Sequence, residues 1–309
     1  MKKKLSTLAV ITSLGLVLSG CSSSDSNSDA SGIKVVAAMY PLEFVATSIG
    51  GDLVSVENFT PPGVEPHDLE LTPSQIVTLD DADLLLFISG FQPALEEAAQ
   101  QSAPANSLDL LTIDGLNLLT ATEDGHDHGA DETHSDEEMV SDPHVWLDPE
   151  RLVVVAKAVA AKLSEVDPDN SEVFATNLAV FVAELETLDQ KFLTGLASCD
   201  RDLIVTAHAA FGYLADAYGL TQEAIAGLSP ESEPTPKRLN EIGKEAKADG
   251  TTTIFFETLA SPKVAQTLAD DLNIEAAVLD PIEGISEGQT YFSIMESNLE
   301  ALRKALNCK

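Results

Sequence analysis

Positive charge is scarce in this chain: 17 lysines and arginines stand against 51 aspartates and glutamates, a formal net charge of −34 at pH 7. That balance excludes nucleic acid as a partner, because phosphate binding needs the opposite sign. The apolar run from Leu5 to Leu18 is too short and too one-sided to span a bilayer. Cysteine occurs three times, so a thiolate-rich metal centre is out of reach. No HExxH pattern and no nucleophile elbow is found, which removes the usual signatures of zinc proteases and serine hydrolases. Tryptophan occurs once, at Trp146.

What is present begins with a leader. Lys2, Lys3 and Lys4 precede the apolar run, which ends in Leu18-Ser19-Gly20-Cys21 and gives way to a polar Ser/Asp/Asn stretch. Residues 1–20 read as a bacterial lipoprotein signal, Cys21 as the residue that carries the lipid, and residues 21–32 as a flexible tether. Removing a leader with three lysines takes the charge from −34 to −37. Such acidity favours solubility in salt and raises the local cation concentration, and most of it is a solvated face. Export leaves Cys199 and Cys308 as an even pair in an oxidising compartment, where a bridge would tie the C-terminal helix to the start of the second lobe. By the chain-entropy argument so long a closed loop is worth about 4–5 kcal/mol. Two free thiols are the alternative.

From Ile33 the chain alternates short apolar runs with amphipathic stretches. Strands are expected at 33–39, 53–59, 83–89 and 107–113, with helices at 41–49, 73–80 and 93–101. The plan repeats later: strands at 203–207, 223–226, 252–256 and 275–279, helices at 209–218, 236–248, 262–272 and 289–306. This is an α/β pattern with buried parallel sheets. Between the two regions lie helical segments at 149–166 and 168–196, a stiff connector. Residues 120–140, TATEDGHDHGADETHSDEEMV, break the pattern. They read as a charged mobile loop whose His126, His128 and His134 either capture cations loosely or are simply solvated. The division is then a first lobe over 33–148, linker helices over 149–198 and a second lobe over 199–309. At 309 residues the chain is long enough for each lobe to have its own core.

The stretch SDPHVWLDPE, residues 141–150, holds His144 between two Asp-Pro pairs beside the lone tryptophan. Asp148-Pro149 is a good helix opening, so the segment is a rigid corner presenting an imidazole. His67, His208 and Asp280 each follow an expected strand, where parallel sheets gather ligands. Two such ends facing one another bring His67 and His144 against His208 and Asp280. Three imidazoles and a carboxylate suit tetrahedral Zn2+; calcium or magnesium would need more oxygen. Spacing adds little, since 64 to 77 residues separate successive candidates. Taken singly, each histidine is as readily a hydrogen-bonded interior residue.

The segments PPGVEPHDLELTPSQ (61–75), DPHVWLDP (142–149), the acidic histidine-bearing loop, TAHAAFGYLADAYGL (206–220) and SPESEPTPKRL (229–239) together make the chain resemble a known family. It is similar, over residues 33–308, to the cluster A-I solute-binding lipoproteins of zinc and manganese ABC transporters. The resemblance implies two (β/α)4 lobes joined by a long rigid helix. It also implies metal ligation by His67 and His144, with His208 at a third position that is histidine in the zinc branch and commonly glutamate in the manganese branch. Asp280 matches the aspartate beside the last strand, although zinc members differ in whether it or a water completes the shell. Some zinc members carry an acidic residue directly before the first histidine; here that residue is Pro66, with Glu65 one step away, which favours Asp280. Glu257 reads as a hydrogen-bond partner of a ligand or as a plain ion pair.

The expected function is extracytoplasmic capture of zinc between two lobes and delivery to an ABC transporter permease, by a monomer held at the membrane through its lipid. A manganese or iron carrier of the same fold is one alternative. A zinc hydrolase is another, since three histidines and a water also compose such a site.

Overall fold

The computed structural model describes residues 32–102, 106–122 and 139–309; Cys21, the tether, and His126, His128 and His134 lie outside the described residues. Two parallel sheets organise the chain. The first has the order β2-β1-β3-β4, from β1 (Ile33–Ala37), β2 (Val54–Asn58), β3 (Leu84–Phe87) and β4 (Ser107–Asp109). Ile33 pairs with Val54, Val35 with Leu84 and Leu85 with Ser107. The second has the order β10-β9-β7-β8, from β7 (Leu203–Thr206), β8 (Thr221–Ala224), β9 (Thr253–Phe256) and β10 (Glu275–Val278). β1 is buried at four of its five residues and β3 at three of its four, as expected of strands covered on both faces.

Helices cross over between strands: α1 (Tyr40–Gly50), α2 (Pro73–Asp80) and α3 (Pro93–Ser102) in the first half, then α6 (Gly212–Tyr218), α7 (Pro236–Asp249), α8 (Lys263–Leu272) and α9 (Tyr291–Leu306) in the second. Their starts are chemically written. Thr72 accepts from the Gln75 amide while the Gln75 side chain answers the Thr72 N–H, and Pro73 occupies the first turn. Thr290 and Ser293 form the same reciprocal box on α9, and Thr235 caps α7. Each such cap is worth about 1 kcal/mol.

Helix α4 (Pro149–Val166) opens on Asp148, whose carboxylate accepts from the Glu150 amide. The segment 168–196, expected as one helix, instead starts with a single 3-10 turn at Pro168–Asn170, and α5 runs from Ser171 to Gly195. At 1.5 Å per residue α5 is about 37 Å long. It packs on α4, on α1 of the first half and on α9 of the second. Phe44 of α1 marks the junction, 5.4 Å from Phe181 of α5, 5.3 Å from Tyr291 and 5.6 Å from Phe292 of α9, centroid to centroid. These spacings suit aromatic packing.

Residues 32–309 pack as one unit. The principal apolar cluster runs from β1 and α1 through α4 and α5 to α9, so it belongs to both halves. A smaller cluster of Val205, Ile225, Ile242, Ile254 and Leu268 sits under α7 and α8. The expectation of one core per lobe is corrected accordingly: α1, α5 and α9 bury their apolar faces against each other. The expected loop 120–140 is also amended at its ends, where β5 (Thr120–Thr122) and β6 (Met139–Ser141) pair antiparallel. Cys199 and Cys308 are disulfide-bonded, closing the C-terminus onto the start of the second half. No helix among the described residues is long and apolar enough to cross a membrane.

Candidate metal centre

His67 lies in the irregular segment after β2. Gln92 holds that segment, its amide donating to the Pro66 carbonyl at 3.1 Å and to Thr60 Oγ1 at 2.9 Å, and Thr60 Oγ1 in turn donates to the Ala38 carbonyl. The Phe91 ring packs 4.2 Å from the imidazole. His144 is turned by its own neighbour: Asp142 Oδ1 accepts the His144 backbone N–H at 2.9 Å and faces its Nδ1 at 2.8 Å. The next residues form a 3-10 turn, Val145–Leu147, whose Trp146 is fully buried and donates from Nε1 to the Pro281 carbonyl at 2.7 Å. His208 follows β7, its carbonyl accepting from Thr206 Oγ1 and Gln222 Nε2, and its Nδ1 facing Glu257 Oε1 at 2.5 Å. Glu257, at the end of β9, is thus the hydrogen-bond partner of an imidazole and not a surface ion pair.

Carboxylates at Nδ1 of His144 and His208 fix a proton there, so that Nε2 is the atom that gives its lone pair once an ion replaces any proton on it. The three Nε2 atoms converge on Glu283 Oε1, at 3.6 Å from His67, 3.4 Å from His144 and 3.4 Å from His208. The four donor atoms lie within 4.8 Å of one another. Each is buried, and none has a hydrogen-bond partner among the described residues. Orphaned polar atoms are costly in a protein interior. A tetrahedron with bonds of about 2.0–2.1 Å has edges of about 3.3–3.4 Å, which Glu283 meets at His144 and His208, at 3.4 Å each, and approaches at His67, at 3.6 Å. The residues present therefore fit one tetrahedral transition ion.

The electrostatics agree. Burial alone would push the Glu283 carboxyl up, yet the facing imidazoles of His144, His208 and His67 outweigh it and hold the group well below the usual carboxylate range. Burial would depress His208, but the charge and hydrogen bond of Glu257, with Glu283 behind them, push it up to about 10. His144 is raised against its burial by Asp142 and Glu283. His67, whose Nδ1 meets no carboxylate among the described residues, is lowered because burial outweighs Glu283. The centre is electrically arranged for a cation.

Asp280, expected as the fourth donor, is not among the converging groups. Its Oδ1 accepts the Ile282 amide at 2.8 Å and its Oδ2 the Thr258 hydroxyl at 2.8 Å, while Asn298 brackets its backbone. The carboxylate is spent on an Asx-type turn. Within that turn Ile282, fully buried, adopts φ 60° and so reverses the chain, delivering Glu283 to the centre. Sequence reasoning took the strand-end acid and missed the one three residues on; DPIEG offered only an acid before a glycine as a signal. Glu65 also stays outside the four. Burial and the nearby Glu283 push its carboxyl to about 7, and its Oε2 accepts the Asp68 amide.

A cleft of about 650 Å³ reaches the centre, lined by His67, Ser89, Thr112, Ser141, Ser229 and Ser232. His67 is the only one of the four donor residues on it. Its side chain is 10% exposed, against 0%, 0% and 2% for His144, His208 and Glu283.

Two parallel α/β halves sharing one core, with buried donors from each half meeting between them, define a solute-binding protein for a metal ion. The comparisons with known proteins narrow that class. Over residues 35–305 the chain matches the family described as zinc-uptake complex component A, periplasmic, and it belongs to that family. It is 36% identical over its whole length, and the whole of the relative's, to the high-affinity zinc uptake system protein ZnuA of Bacillus subtilis (strain 168). It is also 36% identical to the zinc-binding protein AdcA of Streptococcus pyogenes, where 88% of this chain spans 55% of the longer relative. Among solved structures, the Zn(II)-bound ZnuA-like domain of Streptococcus pneumoniae AdcA superposes with a TM-score of 0.72 at 30% identity, covering 89% of this chain and 99% of that domain.

Proposed function

We propose that this protein captures a zinc ion on His67, His144, His208 and Glu283 outside the cytoplasmic membrane and hands it to the permease of an ABC transporter. The observation that carries the reading is the set of four buried, mutually facing and otherwise unpartnered donor atoms. Three nitrogens and one oxygen suit zinc over manganese, since imidazole-rich tetrahedral sites follow the Irving–Williams preference. Zinc is cargo here, and the chain's residues do three things to it. Asp142 and Glu257 orient two imidazoles and share the ion's charge. Glu283 supplies the one anionic donor. The surrounding Phe91 and Trp146 rings keep water from competing.

Four protein donors fill a tetrahedral shell, which favours carriage over catalysis, because a catalytic zinc needs an open position. We further infer a lipid on Cys21 as the membrane anchor, a monomer in solution, lobes at 33–148 and 199–309 linked by 149–198, and loose cation capture by His126, His128 and His134. Calorimetric titration of demetallated protein tests the central reading: one equivalent of zinc binds tightly, and manganese fails to displace it. No uptake of zinc, or equal retention by a protein with all four donors changed to alanine, contradicts it. Zinc-dependent ester hydrolysis lost in His208→Ala would move the protein to the enzymes.

A further inference from the structure

Three of the four donor residues are at most 2% exposed, so how firmly the halves are held together beside the centre bears on exchange of an ion. One side chain of the second half holds the first half beside the centre without facing it. Tyr213, in the first turn of α6, is fully buried, and its hydroxyl donates to the Asp142 carbonyl at 2.8 Å and accepts the Leu119 amide at 3.1 Å. Leu119 and Asp142 flank β5 and β6 and are themselves joined, Asp142 N–H to the Leu119 carbonyl at 2.9 Å. The tyrosine hydroxyl therefore adds a rung to the hairpin at its root. Burial pushes that hydroxyl up to about 12, so it remains a donor.

The neighbouring residue is fitted to the same contact. A Cβ on Gly212 would stand 2.7 Å from Asp142 Oδ2, so a larger residue there would displace the carboxylate that orients His144. The Arg151 guanidinium stands over the Tyr213 ring, 4.7 Å from its centroid, anchored to Asp148, Asp216 and the Leu116 carbonyl. His208 lies on the same segment, four residues before Gly212. A continuous path thus runs from His208 through Gly212-Tyr213 to Asp142 and His144, crossing between the halves.

We propose that Tyr213 is a positioning residue that latches the closed site: its hydroxyl holds Asp142, and through it His144, so that it governs how long the ion stays rather than how fast it arrives. The inference rests on the zinc-carrier reading above. Zinc release from the loaded full chain into excess chromogenic chelator, followed by stopped flow, measures it. Tyr213→Phe, which keeps the ring under Arg151, releases zinc about tenfold faster, the scale of losing an outer partner of a metal ligand, with the association rate unchanged. Gly212→Ala reproduces the fast release with the hydroxyl in place. Asp142→Ala is fast by itself, and adding Tyr213→Phe to it speeds release by less than about twofold, since the hydroxyl then holds a backbone that carries no carboxylate to orient His144. Wild-type release from Tyr213→Phe overturns the latch, as does a full additive factor in the double variant. Wild-type protein that takes up no zinc overturns the carrier reading and the latch together.

Discussion

Asp280 and Glu283 stand three residues apart after β10, and the backbone between them decides which one faces the centre. Aspartate suits the turn because its short carboxylate reaches an amide two residues on; glutamate, once the chain has reversed, has the reach to meet three imidazoles. Two isosteric substitutions separate the roles. Glu283→Gln should lose zinc affinity by more than about 100-fold, beyond what loss of an outer partner costs. Asp280→Asn should keep tight binding but lower the stability of the protein by about 1–3 kcal/mol, through hydrogen bonds weakened at the Ile282 amide and Thr258. Chelator competition reads the first and denaturant unfolding the second; the opposite pattern would restore Asp280 as the donor. The three histidines were legible in the sequence because each sits in a distinctive segment at an element's end. Glu283 was not, since its placement depends on a positive φ at Ile282, a branched residue that rarely takes that conformation.

At the scale of elements, the helices opened by a cap and a proline were the most readable: Pro73–Asp80 and Pro149–Val166 match their expected bounds because the start signal is local. The break in the long connector falls between Val166 and Pro168 as expected, since proline restrains its predecessor, but residues 168–170 form a separate 3-10 turn before α5. The β5–β6 hairpin gave no period to find, having three residues a side at the ends of a polar stretch. Leu119 and Asp142 close its root, and the four donors all lie outside it. Deleting residues 123–138 should leave one tight zinc equivalent by calorimetry, and loss of that equivalent would mean the loop supplies a donor.

For the whole molecule, alternation of strands and helices announced two parallel sheets but not how they share an interior. That sharing comes from α1, α5 and α9, whose aromatic contacts join residues far apart in sequence, and no periodicity encodes it. Its consequence is a centre drawing His67 and His144 from one half and His208 and Glu283 from the other, so the ion itself should tie the halves together. At a free concentration about 1,000 times the dissociation constant, zinc should add about 4 kcal/mol to stability. The thermal midpoint should then rise by roughly 10 °C. The most direct test is a crystal structure of the zinc-loaded protein with anomalous scattering collected on either side of the zinc absorption edge. A single strong peak bonded to Nε2 of His67, His144 and His208 and to the Glu283 carboxylate is the predicted result; a peak centred on Asp280, or outside these four residues, would contradict it.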